Sequence, residues 1–171
     1  YERRQEIIDY VVQKYDEILA EDLINAEDVV VTISHHGSIK RFPVSGYRRQ
    51  GRGGRGVTGA QTKEEDFIEH LFVASTHDYI LFFTDRGRCY WLKVYEIPPG
   101  GKVTKGRPII NLIGIETGEK IRAFISVKDF EGDRYILMGT QKGIVKKTHI
   151  SAFSRPRRNG IIALSIRDED K

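Results

Sequence analysis

Three segments of this chain repeat one another, and the repetition limits the fold more than any other feature. The first runs Val29-Val30-Val31-Thr32-Ile33-Ser34, then His35-His36-Gly37, then Ser38-Ile39-Lys40-Arg41-Phe42. The second runs Tyr79-Ile80-Leu81-Phe82-Phe83-Thr84, then Asp85-Arg86-Gly87, then Arg88-Cys89-Tyr90-Trp91-Leu92. The third runs Tyr135-Ile136-Leu137-Met138-Gly139-Thr140, then Gln141-Lys142-Gly143, then Ile144-Val145-Lys146-Lys147. β-Branched and aromatic residues on both sides of a glycine-ended turn predict a hairpin in each. Glycine closes the turn because a left-handed backbone costs it no Cβ clash.

A second glycine follows each hairpin and opens an apolar run: Gly56-Val57, Gly106 before Pro108-Ile109-Ile110, and Gly160-Ile161-Ile162-Ala163-Leu164. The interval between the two glycines is 19, 19 and 17 residues, and the turn glycines step by 50 and 56. A further strand is expected from Phe67 to Ala74 and from Ile121 to Val127. A period of about 50 residues carrying about four strands is the pattern of a propeller-like blade array. The expected units are residues 28–77, 78–133 and a partial 134–171. Three blades do not close a ring, so the array is open or belongs to a longer protein.

Residues 1–27 have a different texture. Ile7, Ile8, Val11, Val12, Tyr15, Ile18 and Leu19 recur at helical spacing, although their β-branched members also suit a strand. The segment reads as a helical or extended linker that packs on something else. Its charge is −5, whereas residues 28–171 carry +9. A basic excess confined to the repeat region points to a polyanionic partner, with a surface charged for solubility as the plainer alternative. One cysteine, Cys89, excludes an internal disulfide framework and a CxxC metal site, and fits a reducing cytosol. No run approaches the ~18 apolar residues of a membrane span, so no membrane partner is expected. The chain begins with a tyrosine, as a fragment or excised domain does.

The basic residues collect in loops. Tyr47-Arg48-Arg49-Gln50-Gly51-Arg52-Gly53-Gly54-Arg55-Gly56 combines arginines that fork onto phosphate oxygens with glycines that let the backbone lie close to a ligand. Nucleic acid is the leading partner, and a solvated or RGG-like loop the alternative. The matching loops hold Lys102, Lys105 and Arg107 in the second unit and Arg155, Arg157 and Arg158 in the third. The hairpins add Lys40, Arg41, Arg86, Arg88, Lys142, Lys146 and Lys147. Equivalent positions of a radial repeat share a rim, and a basic rim can track a curved phosphate backbone.

No constellation for catalysis emerges. His35-His36 sits in a turn without ligands at metal spacing, and Glu64, Glu65, Asp66, Glu69, His70, His77 and Asp78 lack a regular strand parity. The glycine-rich segment lacks the Gly-Lys-Ser/Thr ending of a phosphate-binding loop. Cys89 lies in an aromatic strand as a core thiol would.

Gln50-Gly51-Arg52-Gly53-Gly54-Arg55-Gly56 resembles the signature box of the DNA gyrase A-subunit family, Gln-Arg-Arg-Gly-Gly-Lys-Gly and its variants, with Gly51 where that family has a basic residue. The stretch from Glu27 to Gly37 is similar to the start of that family's C-terminal domain. So are Phe82-Phe83-Thr84-Asp85-Arg86-Gly87-Arg88 and Lys93-Val94-Tyr95-Glu96-Ile97-Pro98. The resemblance covers residues 27–171. It implies an all-β fold, a partial β-pinwheel whose strands are exchanged between neighbouring blades, of which the family commonly has about six. It implies that residues 1–27 lead out of a breakage-reunion core. It implies duplex DNA wrapped on the basic outer rim, so that the parent type II topoisomerase introduces negative supercoils. The box residues 50–56 and the loop and hairpin cations named above are then the DNA contacts. It further implies no catalytic residue, metal or cofactor in this chain. ATP and Mg2+ are used on other domains, the partners are the rest of the gyrase A polypeptide and the gyrase B polypeptide in an assembly of two copies of each, and the location is the nucleoid in the cytoplasm. The related polypeptide of topoisomerase IV has the same fold with a degenerate box, and the intact Gly53-Gly54-Arg55-Gly56 favours gyrase. A propeller serving as a protein-interaction scaffold is the alternative from a different class, and it would want aromatic or acidic rims.

Overall fold

The three turn glycines adopt the backbone their spacing demands, with φ of 78° at Gly37, 73° at Gly87 and 87° at Gly143. In each, the glycine N–H donates to the carbonyl three residues back, at Ser34, Thr84 and Thr140. The hydroxyls of the same three residues accept from the backbone N–H just after the glycine, at Ser38 (3.1 Å), Arg88 (3.3 Å) and Ile144 (3.1 Å). One turn chemistry is therefore written three times. This computed structural model describes residues 2–46, 66–101, 104–166 and 170.

Helix α1 (Glu2–Asp22) precedes an all-antiparallel set of strands. These are β1 (Asp28–Ser34), β2 (Ser38–Pro43), β3 (Ile68–Ser75), β4 (Tyr79–Thr84), β5 (Arg88–Lys93), β6 (Arg107–Pro108), β7 (Ile121–Val127), β8 (Tyr135–Gly139), β9 (Val145–His149) and β10 (Ile161–Ile162). The first sheet has the order β3-β1-β2-β6, the second β7-β4-β5-β10, and the third pairs β8 with β9. The short strands after Gly106 and Gly160 thus leave their own units and complete the preceding blades. Arg107 pairs with Ile39 and Ile161 pairs with Cys89, each two residues beyond a turn glycine. The second glycines permit that approach: a Cβ on Gly106 would stand 2.4 Å from the Ile39 carbonyl oxygen, and one on Gly160 2.9 Å from that of Cys89.

Side-chain alternation in β4 joins the blades. Ile80 and Phe82 pack with Val29, Val31, Ile33 and Ile39 of the first sheet, while Leu81 points the other way, to Ile150, Phe153 and Ala163. The central strands β4 and β5 are buried on both faces, which is why Ile80-Leu81-Phe82 and Cys89-Tyr90 read as unbroken apolar runs. Cys89 is fully buried there, and burial pushes its thiol up to about 12.

The linker is helical, and the described part of its apolar stripe lies exposed. Ile7, Ile8, Val11, Val12 and Tyr15 are exposed, Tyr15 to 63%. At the end of the helix, Lys93 Nζ donates to Glu21 Oε1 at 2.7 Å, and just beyond it His77 donates to the Ile24 carbonyl at 2.7 Å. The Lys93 ammonium keeps the Glu21 carboxyl below its ordinary range. Among the described residues no helix is long and apolar enough to cross a membrane.

Candidate nucleic-acid interface

After the second and third hairpins, the segment from the short 3-10 turn to the second glycine forms the exchange loop that carries the chain to the neighbouring blade. Residues 97–106 do this in the second unit and residues 153–160 in the third. The corresponding segment of the first unit contains Arg48, Arg49 and the box Gln50, Gly51, Arg52, Gly53, Gly54, Arg55 and Gly56, which lies outside the described residues, as does Lys102. Counted back from the second glycines, positions 50–56 correspond to 100–106 and 154–160.

The exchange loops present cations to solvent. Lys105, Arg107, Arg155, Arg157 and Arg158 are exposed, as is Lys142 at the third hairpin tip. A loop carbonyl fixes the third loop's position: a Cβ on Gly114 would stand 2.4 Å from the Arg158 carbonyl oxygen. Arg157 and Arg158 also face a cleft of about 660 Å³ shared with Lys14 and Glu21 of α1, Lys93, Tyr79 and Trp91.

Of the other cations, Lys40 is turned inward, whereas Arg41, Arg86, Arg88, Lys146 and Lys147 are engaged within the chain while half-buried or exposed. Lys40 is buried, and its Nζ donates to the carbonyls of Gly101 (3.0 Å) and Thr104 (2.8 Å), with burial lowering its pKa. Arg41 donates from Nε to the Ile97 carbonyl (2.8 Å) and from Nη2 to that of Tyr95 (3.2 Å). Arg86 and Arg88 grip the two oxygens of Glu116 at 2.8 and 2.7 Å. Lys146 donates to the Ala163 carbonyl (2.8 Å), and Lys147 lies 4.1 Å over the Tyr135 ring. These six residues all make contacts within the blades. A sequence displays charge but not direction, and carbonyl acceptors leave no trace in it.

Sequence reading missed a set of carboxylates. Asp66 accepts from the His36 N–H at 3.1 Å, and Asp170 from the Lys142 N–H at 2.9 Å, each at the residue before a turn glycine. Glu119, in the second unit, accepts from Thr84 Oγ1 (2.5 Å), Tyr90 Oη (2.9 Å) and the Glu116 N–H (3.0 Å). Burial would raise the Glu119 pKa, but these donors and the charge of Arg88 hold it below the ordinary range. The signal was available: an acid stands 10, 13 and 10 residues after each second glycine.

Of the acidic and histidine residues considered for a metal, Glu64 and Glu65 lie outside the described residues, and the others make separate contacts. His70 lies edge-on to Phe124, His77 faces α1, Asp78 accepts from the Ser75 N–H at 2.9 Å, and His35 stacks on Phe67. Among the described residues no group of three or more such side chains could hold a metal ion.

A family model described as DNA gyrase C-terminal domain, beta-propeller, matches residues 28–75, 78–128 and 134–171. The chain is 53% identical over 151 residues to the DNA gyrase A polypeptide of Haemophilus influenzae, covering 88% of this chain and 17% of that relative. It is 49% identical over 158 residues to the Staphylococcus aureus counterpart, covering 92% of this chain and 18% of that one. The chain therefore spans less than a fifth of the relatives it matches. Among solved structures it superposes on the C-terminal domain of DNA topoisomerase IV with a TM-score of 0.68 and 26% identity, covering 86% of this chain and 45% of that one. The C-terminal domain of DNA gyrase A gives 0.64 and 28%, covering 85% and 46%.

Proposed function

From the premise that this chain belongs to the DNA gyrase C-terminal domain family, we propose that it binds duplex DNA along its exchange loops and bends it over the rim they form. The observation that carries this reading is the recurrence of exposed cations on equivalent loops, Lys105 and Arg107 in one unit and Arg155, Arg157 and Arg158 in the next. A duplex following successive loops meets phosphate-binding groups at regular intervals, and contacts on both sides of a bend offset its elastic cost. The box around Arg52 and Arg55 is the corresponding anchor in the first unit. Hairpin cations already engaged with carbonyls, Glu116 or Tyr135 contribute through the shape of the blade.

In the complete enzyme, wrapping fixes the sign of the crossing presented for strand passage, which yields negative supercoils at the expense of ATP. Cleavage, ATP hydrolysis and Mg2+ belong to the rest of the gyrase A polypeptide and to gyrase B, in an assembly of two copies of each, acting on the nucleoid in the cytoplasm. Likeness to the topoisomerase IV domain supports a second reading, a part of a decatenating enzyme, against which the intact Gly53-Gly54-Arg55-Gly56 run weighs.

Duplex DNA binding measured over a salt series tests the proposal. Affinity falls steeply with salt and varies little with sequence, because phosphates are the target. Each phosphate interaction removed by substituting Lys105, Arg107, Arg157 or Arg158 flattens the log–log slope by about 0.9. A slope indifferent to all four substitutions would remove the described loops from the interface.

A further inference from the structure

Arg41 stands four residues after the turn glycine Gly37, and its hydrogen bonds to the next unit all fall on one segment. Beside the two guanidinium contacts to the Ile97 and Tyr95 carbonyls, its N–H donates to the Pro98 carbonyl at 3.1 Å and its carbonyl accepts from Gly100 N–H at 2.9 Å. Lys40 holds the continuation of that segment at Gly101 and Thr104. The segment runs straight to Lys105, Gly106 and Arg107, so the two side chains fix where the exposed cations of the second unit emerge.

The next unit repeats the connection with different chemistry. Trp91 stands four residues after Gly87, and its Nε1 donates to the Phe153 carbonyl at 2.8 Å. Phe153 lies ten residues after Gly143, as Ile97 lies ten after Gly87. An uncharged indole and a guanidinium thus do the same thing at the same repeat position. What they share is an N–H donor aimed at a neighbouring blade's backbone, and positive charge is incidental to it.

We infer that Arg41 and Trp91 are positioning residues that set the offset between successive exchange loops, and through it the curvature imposed on bound DNA. This rests on the reading of the loops as a DNA rim. Arg41 then acts on the bend through Lys105 and Arg107, without a phosphate of its own. The curvature of the rim is set by carbonyl-directed donors at one repeat position, and its affinity by the exposed cations of the loops.

Three variants of the complete protein, Arg41→Ala, Arg41→Trp and Arg41→Lys, separate the roles, each checked first for a cooperative thermal transition. Spin labels on cysteines introduced at Leu71 and Lys105 report the blade-to-loop distance without DNA. The parent and Arg41→Trp give one narrow distance distribution, and Arg41→Ala a broadened one. With a duplex of roughly 30 base pairs labelled at both ends, the bend relaxes in Arg41→Ala and is kept in Arg41→Trp, while both retain the parental salt slope. If Arg41→Ala does not fold, Arg41→Lys, with its charge intact and the fixed fork of two donor nitrogens replaced by a single one, shows the same broadening to a lesser degree. A slope lowered by about 0.9 in both Arg41→Ala and Arg41→Trp makes Arg41 a phosphate ligand and overturns the inference. An unchanged distance distribution in Arg41→Ala, or in Arg41→Lys where that variant replaces it, overturns it equally. Loss of DNA binding by the parent would sink the rim reading, and the spin-label distances would still decide whether Arg41 sets the loop position.

Discussion

The Tyr90 phenol donates to the Glu119 carboxylate across 2.9 Å, joining the middle of β5 to the loop that leads into β7. Burial, and then this bond, raises the tyrosine's pKa, so the phenol stays protonated and remains a donor. The carboxylate's own pKa is depressed, because Thr84, Tyr90 and the Glu116 N–H all bond its charged form. Its contribution to stability is present above the unfolded glutamate value of about 4.3 and is withdrawn as pH falls through the lower folded value. Glu119→Gln is expected to cost about 1–3 kcal/mol at neutral pH. Urea midpoints should differ at about pH 7 and draw together as pH falls below the unfolded glutamate value; parallel curves throughout would show that the carboxylate's charge is not what matters.

Gly37 and Gly87 share a left-handed backbone and differ in their surroundings. A Cβ on Gly37 meets nothing within 4 Å, whereas one on Gly87 would stand 1.9 Å from the Leu164 carbonyl oxygen. Gly37→Ala should cost about 1–2 kcal/mol of backbone strain. Gly87→Ala should cost at least about twice that, since it also pushes the third unit's strand off the second blade. Thermal melts of the two variants check the order.

Trp91→Phe keeps an aromatic ring in place and leaves the Phe153 carbonyl without its donor. The expected loss is about 1–2 kcal/mol. Urea unfolding followed by circular dichroism measures it, because the substitution removes the chain's one tryptophan fluorophore.

Replacing Arg48, Arg49, Arg52 and Arg55 by Ala in the complete enzyme should abolish negative supercoiling. ATP-driven relaxation and decatenation should persist. Bending a 20–30 base-pair site costs about 1–6 kcal/mol, so losing one anchor removes the curved state before it removes attachment. Topoisomer gels give the answer: retained supercoiling denies the box its anchoring role, and failure of DNA cleavage makes the loop a folding element.

The hairpins and their turns are legible in the sequence because a residue with positive φ and a strand of alternating apolar residues leave strong local marks, as at Gly37, Gly87 and Gly143. Strand exchange leaves almost none. β6 and β10 have two residues each, β6 includes Pro108, and their partners lie far away in sequence. Only the family resemblance implied it. The candidate site was half legible: Lys105, Arg107 and the arginines near Gly160 stand exposed where the repeats placed them, while Arg41 and Arg88 are held by acceptors 54–56 and 28 residues away. The helical stripe of α1 was visible and its exposure was not, since periodicity reports a face and says nothing about what covers it.

Because β6 is drawn from the following unit, the first blade waits on residues that leave the ribosome long after its own hairpin. A nascent chain stopped before Arg107 holds the β1–β2 hairpin with the Ser38–Ile39 stretch of the far β2 edge bare. A few residues later, the Ile109 N–H can reach the Gly37 carbonyl and close that edge. Synthesis therefore completes the blades in arrears, each sealed by the arrival of the next. A pause or a truncation within one repeat exposes a strand edge in the repeat before it, where pairing with another chain is the ready alternative.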